Sequence, residues 1–170
     1  MQIEETVIQK LKNSNSVLCT VESCTGGLIS HLLTNISGSS AVFWGGYVVY
    51  DNTLKEALGT PSTVIQNHGA VSAEVARALA EKGLERMRAI LEQGASYSLV
   101  KPVQFGCIAT TGIAGPLGGS EKKPVGLCYI ALALSNRDTI VEKFQTASLD
   151  RLQNKTAFAQ EALQLIQNYL

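Results

Sequence analysis

The first residues able to do chemistry are a serine and its neighbours in SVLCTVESCTGG. An apolar, strand-like run over Ser16–Glu22 ends at Ser23, and Cys24, Thr25, Gly26 and Gly27 follow before a helical pattern begins. A hydroxyl at such a junction stands above the sheet edge, with backbone N–H groups of the next turn aimed at the same space. That geometry suits a bound anion or a nucleophile with an oxyanion hole near Thr25 and Gly26. An ordinary helix N-cap would use the same residue types. Cys24, with no histidine close in sequence to activate it, is the weaker nucleophile.

A serine nucleophile needs a base. Only His31 and His68 are present, and His31 lies eight residues beyond Ser23 on the same predicted helix, two turns away. His68 precedes Gly69 in a predicted loop, where a turn or capping role accounts for it. Lysine or tyrosine can serve if its pKa falls by about three units, roughly 4 kcal/mol of desolvation and neighbouring charge. Tyr50 ends a β-branched and aromatic run at 41–50, and Lys55 sits one turn into the next element. If that strand neighbours the first, both project toward Ser23 and bring its hydroxyl within hydrogen-bond reach. Taken singly, Tyr50 also reads as a strand-end aromatic and Lys55 as a solvated helix cation. No SxxK spacing is present, so the lysine must come from another element.

Glycine supplies the third feature. Of fifteen glycines, six fall within 106–126, in TTGIAGPLGGSEKKPVG and the strand before it. Glycines let a backbone turn its N–H groups toward a ligand, and Thr111, Gly112, Gly118, Gly119, Ser120 and Lys123 make a candidate phosphate or carboxylate site. A long hairpin connection would also use several of these glycines. Gly38-Ser39-Ser40 is a second, weaker cluster of donors.

The elements that must hold these groups alternate. The first dozen residues, with Ile3, Val7, Ile8 and Leu11 at helical spacing, form an amphipathic helix. Strands are predicted at 16–22 and 41–50, with Gly45-Gly46 marking a bulge or close approach. A short helix capped by Asp51 or Asn52 ends by Gly59, and a long one runs from an N-cap at Ser72 to a stop at Gly94. A strand from Pro102 leads into the glycine-rich stretch. A hairpin turning over 135–138 follows, and a final helix over 150–170 buries Leu152, Phe158, Ala159, Leu163 and Ile166. This order predicts one domain over 1–170, a three-layer α/β/α sandwich around a mixed, mostly parallel sheet.

Composition narrows the function. Fourteen basic and fourteen acidic side chains cancel, so no global field draws nucleic acid or a membrane. The polar N-terminus is not a signal peptide, no apolar run approaches membrane-spanning length, and Cys19, Cys24, Cys107 and Cys128 read as reduced thiols. The expected compartment is the cytoplasm. P-loop, dinucleotide and zincin signatures are absent and no metal-ligand spacing occurs, so neither metal nor cofactor is expected. Uncovered sheet edges in a small domain point to a homo-oligomer.

Six segments in one order carry a resemblance: ESCTGG, GSS at 38–40, VVYDN with Lys55, HGAVS, TGIAGP and GGSEKKPVG. Together they resemble the CinA C-terminal-domain family, which includes stand-alone nicotinamide-nucleotide amidohydrolases. The resemblance implies an α/β/α fold similar to anticodon-binding domains. It also implies a Ser-Tyr-Lys catalytic set matched by Ser23, Tyr50 and Lys55, and hydrolysis of the carboxamide of nicotinamide mononucleotide with release of ammonia. The nucleotide would then be held by some of Ser39, Ser40, Thr111, Gly112 and the loop to Ser120. Asp51 and Thr53-Leu54, Leu149 before Asp150-Arg151, Lys155 and extra residues at 93–101 depart from the family pattern. The competing reading is a non-catalytic nucleotide-binding or protein-interaction module.

Overall fold

The computed structural model describes residues 2–93, 102–147 and 150–170. The chain runs α1 (Ile3–Asn13), β1 (Ser16–Glu22), α2 (Leu28–Thr34), a single 3₁₀ turn (Ser39–Ala41), β2 (Phe43–Val48) and α3 (Asn52–Leu58). It continues through α4 (Ser62–His68), α5 (Ala73–Glu92), β3 (Gln104–Gly112), β4 (Leu127–Leu134), β5 (Arg137–Gln145) and α6 (Arg151–Tyr169).

The strands form one sheet in the order β2-β1-β3-β4-β5. β1 pairs parallel with β2 and β3, and β3, β4 and β5 pair antiparallel in turn, so β4 alone runs against the rest. Every residue of β1 is buried, as its near-continuous apolar run requires of a central strand covered on both faces. Alternation then divides the sheet. Leu18, Ile108, Ile130 and Leu132 face α1, α2 and α6, whereas Val17, Cys19, Val21 and Ala109 face α3, α4 and α5. The result is the three-layer sandwich. Gly83 lets α5 approach the sheet, since a Cβ there would stand 2.5 Å from both Cys107 Sγ and Val21 Cγ2.

The caps follow the sequence. Ser72 accepts from Val75 N at the start of α5, Asp51 from Thr53 N at the start of α3, and Asp150 forms a capping box with Gln153 on α6. Some expectations are corrected. The second strand is shorter than 41–50 because Ala41 belongs to the 3₁₀ turn and Val49 and Tyr50 leave the sheet. Residues 62–68 form a helix behind Pro61 rather than a loop, which puts His68 in its last turn. The hairpin turn is tighter than predicted, as Leu134 already pairs with Arg137. Leu152 lies 70% exposed in the first turn of α6, ahead of its buried stripe. Gly94, Leu149 and most of the 93–101 extension lie outside the described residues.

Candidate active site

Three parallel strands end at the same edge of the sheet, and open α/β sheets bind ligands outside these carboxyl ends. Ser23 follows β1, Tyr50 follows β2, and Thr111 and Gly112 close β3. They line a cavity of about 300 Å³ together with Cys24, Asn52, Lys55, Ala70, Val71, Gly118 and Arg151, among others. Among the described residues the lining contains two cationic side chains, Lys55 and Arg151, and no carboxylate. In a chain of zero net charge this makes the cavity locally positive. A larger groove, about 430 Å³, lies beside β2 among Tyr47, Leu54, Arg86 and Ile90 and has none of the candidate catalytic residues on its walls.

A buried carboxylate fixes the serine turn. Glu22, fully buried at the end of β1, accepts from the backbone N–H groups of Gly27 (2.9 Å), Ile29 (3.0 Å) and Ser30 (2.8 Å), and from the Ser30 hydroxyl (2.7 Å). It thereby satisfies donors that open α2, where an anion is favoured. Gly26 and Gly27 both take positive φ, +62° and +96°, which lets the chain reverse between strand and helix. The Ser23 N–H donates to Thr110 O across the sheet, 3.1 Å away. Thr25 shares a 2.8 Å hydrogen bond with Thr110 through their hydroxyls and is fully buried, so its side chain anchors the turn. The Gly26 N–H donates to Ser23 O (3.2 Å). Of the two oxyanion donors expected, Gly26 is therefore already engaged.

Lys55 is only 2% exposed, and its ammonium donates to the backbone oxygen of Tyr50 at 3.0 Å. Desolvation by this burial holds its pKa below the ordinary lysine value, against the opposing pull of Asp51 and Cys24. Asp51 itself is drawn below the usual carboxylate range by the Thr53 hydroxyl and N–H that it accepts. Tyr50 is 61% exposed, and its phenol oxygen accepts from Arg151 Nη2 at 2.9 Å. Arg151 also donates through Nη1 to Gly115 O at 2.6 Å, joining the glycine-rich loop to Tyr50. Ser23 shares the cavity with both candidate bases, but no hydrogen bond links its hydroxyl to either in this structure.

The glycine-rich stretch divides. Gly112, Gly115 and Gly118 line the cavity, while Gly119 and Ser120 stand on the loop's outer side around a shallower depression. Gly119 has a packing reason, since a Cβ there would come within 2.8 Å of Val125 N. Ser120 Oγ accepts from Lys123 N, turning the loop on itself, and the Lys123 ammonium donates to His68 O at 2.7 Å. Thr111 is buried and donates to Ala70 O, fixing the 70–71 wall. Ser39 and Ser40 are not brought to the cavity. They precede β2, and β2 runs parallel to β1, so they lie at the amino end of the sheet, about six residues of strand or roughly 20 Å from Ser23. Arg151 is the cavity-lining cation that residue-by-residue reading missed. Among the described residues no three His, Cys, Asp or Glu side chains are grouped to hold a metal ion, and no helix is long and apolar enough to cross a membrane.

Fold and cavity together define an α/β/α domain with a serine and a buried lysine at the carboxyl edge of its sheet. The chain belongs to the CinA C-terminal domain family, whose model matches residues 1–98 and 101–170. It is 43% identical over 169 residues to a CinA-like protein of Acidobacterium capsulatum and 40% identical over 173 residues to one of Chloroherpeton thalassium. These matches cover 99% and 100% of the chain but only 37% and 38% of the relatives. Among solved structures it resembles the competence/damage inducible protein CihA from Agrobacterium tumefaciens, with a TM-score of 0.83 and 34% identity over 98% of this chain and 95% of that one. A CinA superfamily protein from Escherichia coli superposes with a TM-score of 0.80 at 26% identity, over 98% and 90%.

Proposed function

We propose that this chain is a serine amidohydrolase that converts the carboxamide of nicotinamide mononucleotide to the carboxylate and releases ammonia. The observation that carries the reading is a buried lysine that lines the same cavity as a serine, its amine bound to a carbonyl and its pKa lowered. In its neutral form that amine is a base with no counter-charge on the cavity wall. Lys55 suits the role better than Tyr50, whose phenol is more exposed and engaged by Arg151.

Lys55 takes the Ser23 proton as Oγ attacks the amide carbon. Backbone N–H groups of the serine turn, Thr25 among them, face the developing oxyanion. Lys55 returns the proton to the departing ammonia, and water then hydrolyses the ester by the same exchange. Arg151 supplies the positive charge for the nucleotide phosphate, beside the backbone of Gly112 and Gly118. A rotation of the Ser23 side chain on substrate binding makes the missing contact, since catalytic hydrogen bonds often tighten only in the complex.

That missing contact equally favours a second reading, a module that holds a nucleotide without cleaving it. Ammonia release from nicotinamide mononucleotide by wild type, Ser23→Ala and Lys55→Met separates the two. Release by wild type and loss in both variants supports the hydrolase. A silent wild type that still binds the nucleotide establishes the binding module instead.

A further inference from the structure

Two pairs of cysteines face each other, and all four are free thiols. Cys19 and Cys107 are register partners on β1 and β3, sealed between the sheet and α5. The other pair is placed differently. Cys24 follows Ser23 in the turn and lines the cavity, and its Sγ lies 3.8 Å from Cys128 Sγ on β4. We infer that Cys24 and Cys128 are an oxidation site, a dithiol beneath the cavity that closes to an intrachain disulfide when a hydroperoxide enters.

The geometry is close to what closure needs. A disulfide holds its sulfurs about 2.0 Å apart, so from 3.8 Å the two must approach by roughly 1.8 Å. Access divides the roles. Cys24 meets the cavity, whereas Cys128 is fully buried. Burial raises the Cys128 thiol well above its ordinary pKa, leaving it inert until a partner sulfur is activated.

The Cys24 thiolate attacks one peroxide oxygen. An S–O bond forms, the O–O bond breaks, and the hydroxide released takes a proton to become water, leaving a sulfenic acid. The Cys128 sulfur then gives up its proton and attacks Cys24 Sγ, forming S–S and expelling the sulfenic oxygen as a second water. Two thiols are oxidised and one hydrogen peroxide is reduced to two waters. The bond would tie the serine turn to β4. Its effect on Ser23 rests on the reaction proposed above, whereas the modification itself does not.

The test is to treat the reduced full chain with hydrogen peroxide, block remaining thiols and map the peptides by mass. The expected product has lost two hydrogens, joins the Cys24 and Cys128 peptides, reverts with dithiothreitol, and leaves Cys19 and Cys107 unmodified. Cys128→Ala should yield a Cys24 sulfenic acid trapped by dimedone, and Cys24→Ala should leave Cys128 reduced. A join between Cys19 and Cys107 alone would overturn the assignment. So would Cys24 oxidised beyond sulfenic acid with Cys128 still free, or no cross-link at peroxide levels that oxidise glutathione in the same tube. Ammonia release should fall roughly a hundredfold on closure, the order lost when a reacting group moves by an ångström, and recover with dithiothreitol. A cross-link in a chain that never releases ammonia would sink the reaction and leave the dithiol standing.

Discussion

Replacing Glu22 with glutamine asks how far the serine turn depends on one buried charge. The two carboxylate oxygens accept four hydrogen bonds, from Gly27 and Ile29 on one oxygen and twice from Ser30 on the other. Glutamine keeps one oxygen, so the cheaper orientation turns its NH₂ toward Ser30. There the hydroxyl can rotate to accept while keeping its contact with Thr20, now 2.7 Å. The Ser30 N–H has no such recourse and faces another donor. One orphaned buried N–H costs about 1–3 kcal/mol, and the remaining bonds lose their charge assistance, so the loss should be about 2–4 kcal/mol. Urea unfolding followed by circular dichroism measures it. Because Ser23 and Cys24 hang on this turn, ammonia release should fall further than the folded fraction explains. A loss below about 0.5 kcal/mol, the range of ordinary surface changes, would refute the claim that the carboxylate organises the turn.

Lys55 as base predicts that kcat/KM rises with pH and levels off below the ordinary lysine range, because burial lowers its pKa and only the neutral amine accepts the serine proton; a plateau reached only above about 10.4 would contradict this. The same shift affects stability. Between the lowered folded value and the unfolded value of 10.5 the unfolded chain binds the extra proton, so wild type should gain stability over Lys55→Met as pH rises, read by urea unfolding across a pH series. Arg151→Gln should raise KM for the mononucleotide by about 10–150-fold, the equivalent of one charged hydrogen bond, and affect a phosphate-free nicotinamide riboside much less. Gly83→Ala should lower stability by about 1–3 kcal/mol in thermal unfolding through overpacking, despite alanine's better helix propensity.

The sequence made the layers readable because burial leaves a period: seven buried residues in β1, and the stripe of Val75, Ala76, Leu79, Gly83 and Met87 on α5. Caps at Asp51, Ser72 and Asp150 were legible because their hydrogen bonds are local. Ser39 and Ser40 show what local reading cannot supply. Their hydroxyls are suitable chemistry, but only the parallel register of Leu18 with Phe43 puts them at the far end of the sheet. A simple rule would have caught this, since residues preceding a parallel strand never share an edge with those following its neighbour. Helix α4 escaped because seven residues bury only Ile65, too few to show a period. Arg151 escaped because its partners, Tyr50 and Gly115, are distant in sequence. The glycine cluster serves two ends: Gly112 and Gly118 face the cavity, but a Cβ at Gly119 would strike the loop's own backbone.

The cavity takes its walls from segments as far apart as Ser23 and Arg151. None of these segments holds a pocket by itself. During synthesis β1 and its turn leave the ribosome early, yet the last wall arrives with α6, which packs beside α1 and α2 on one face of the core. Pairings this distant in sequence close slowly and late in folding. A nascent or truncated chain therefore carries the serine without the cavity around it, and appearance of the cavity reports completion of the whole sandwich.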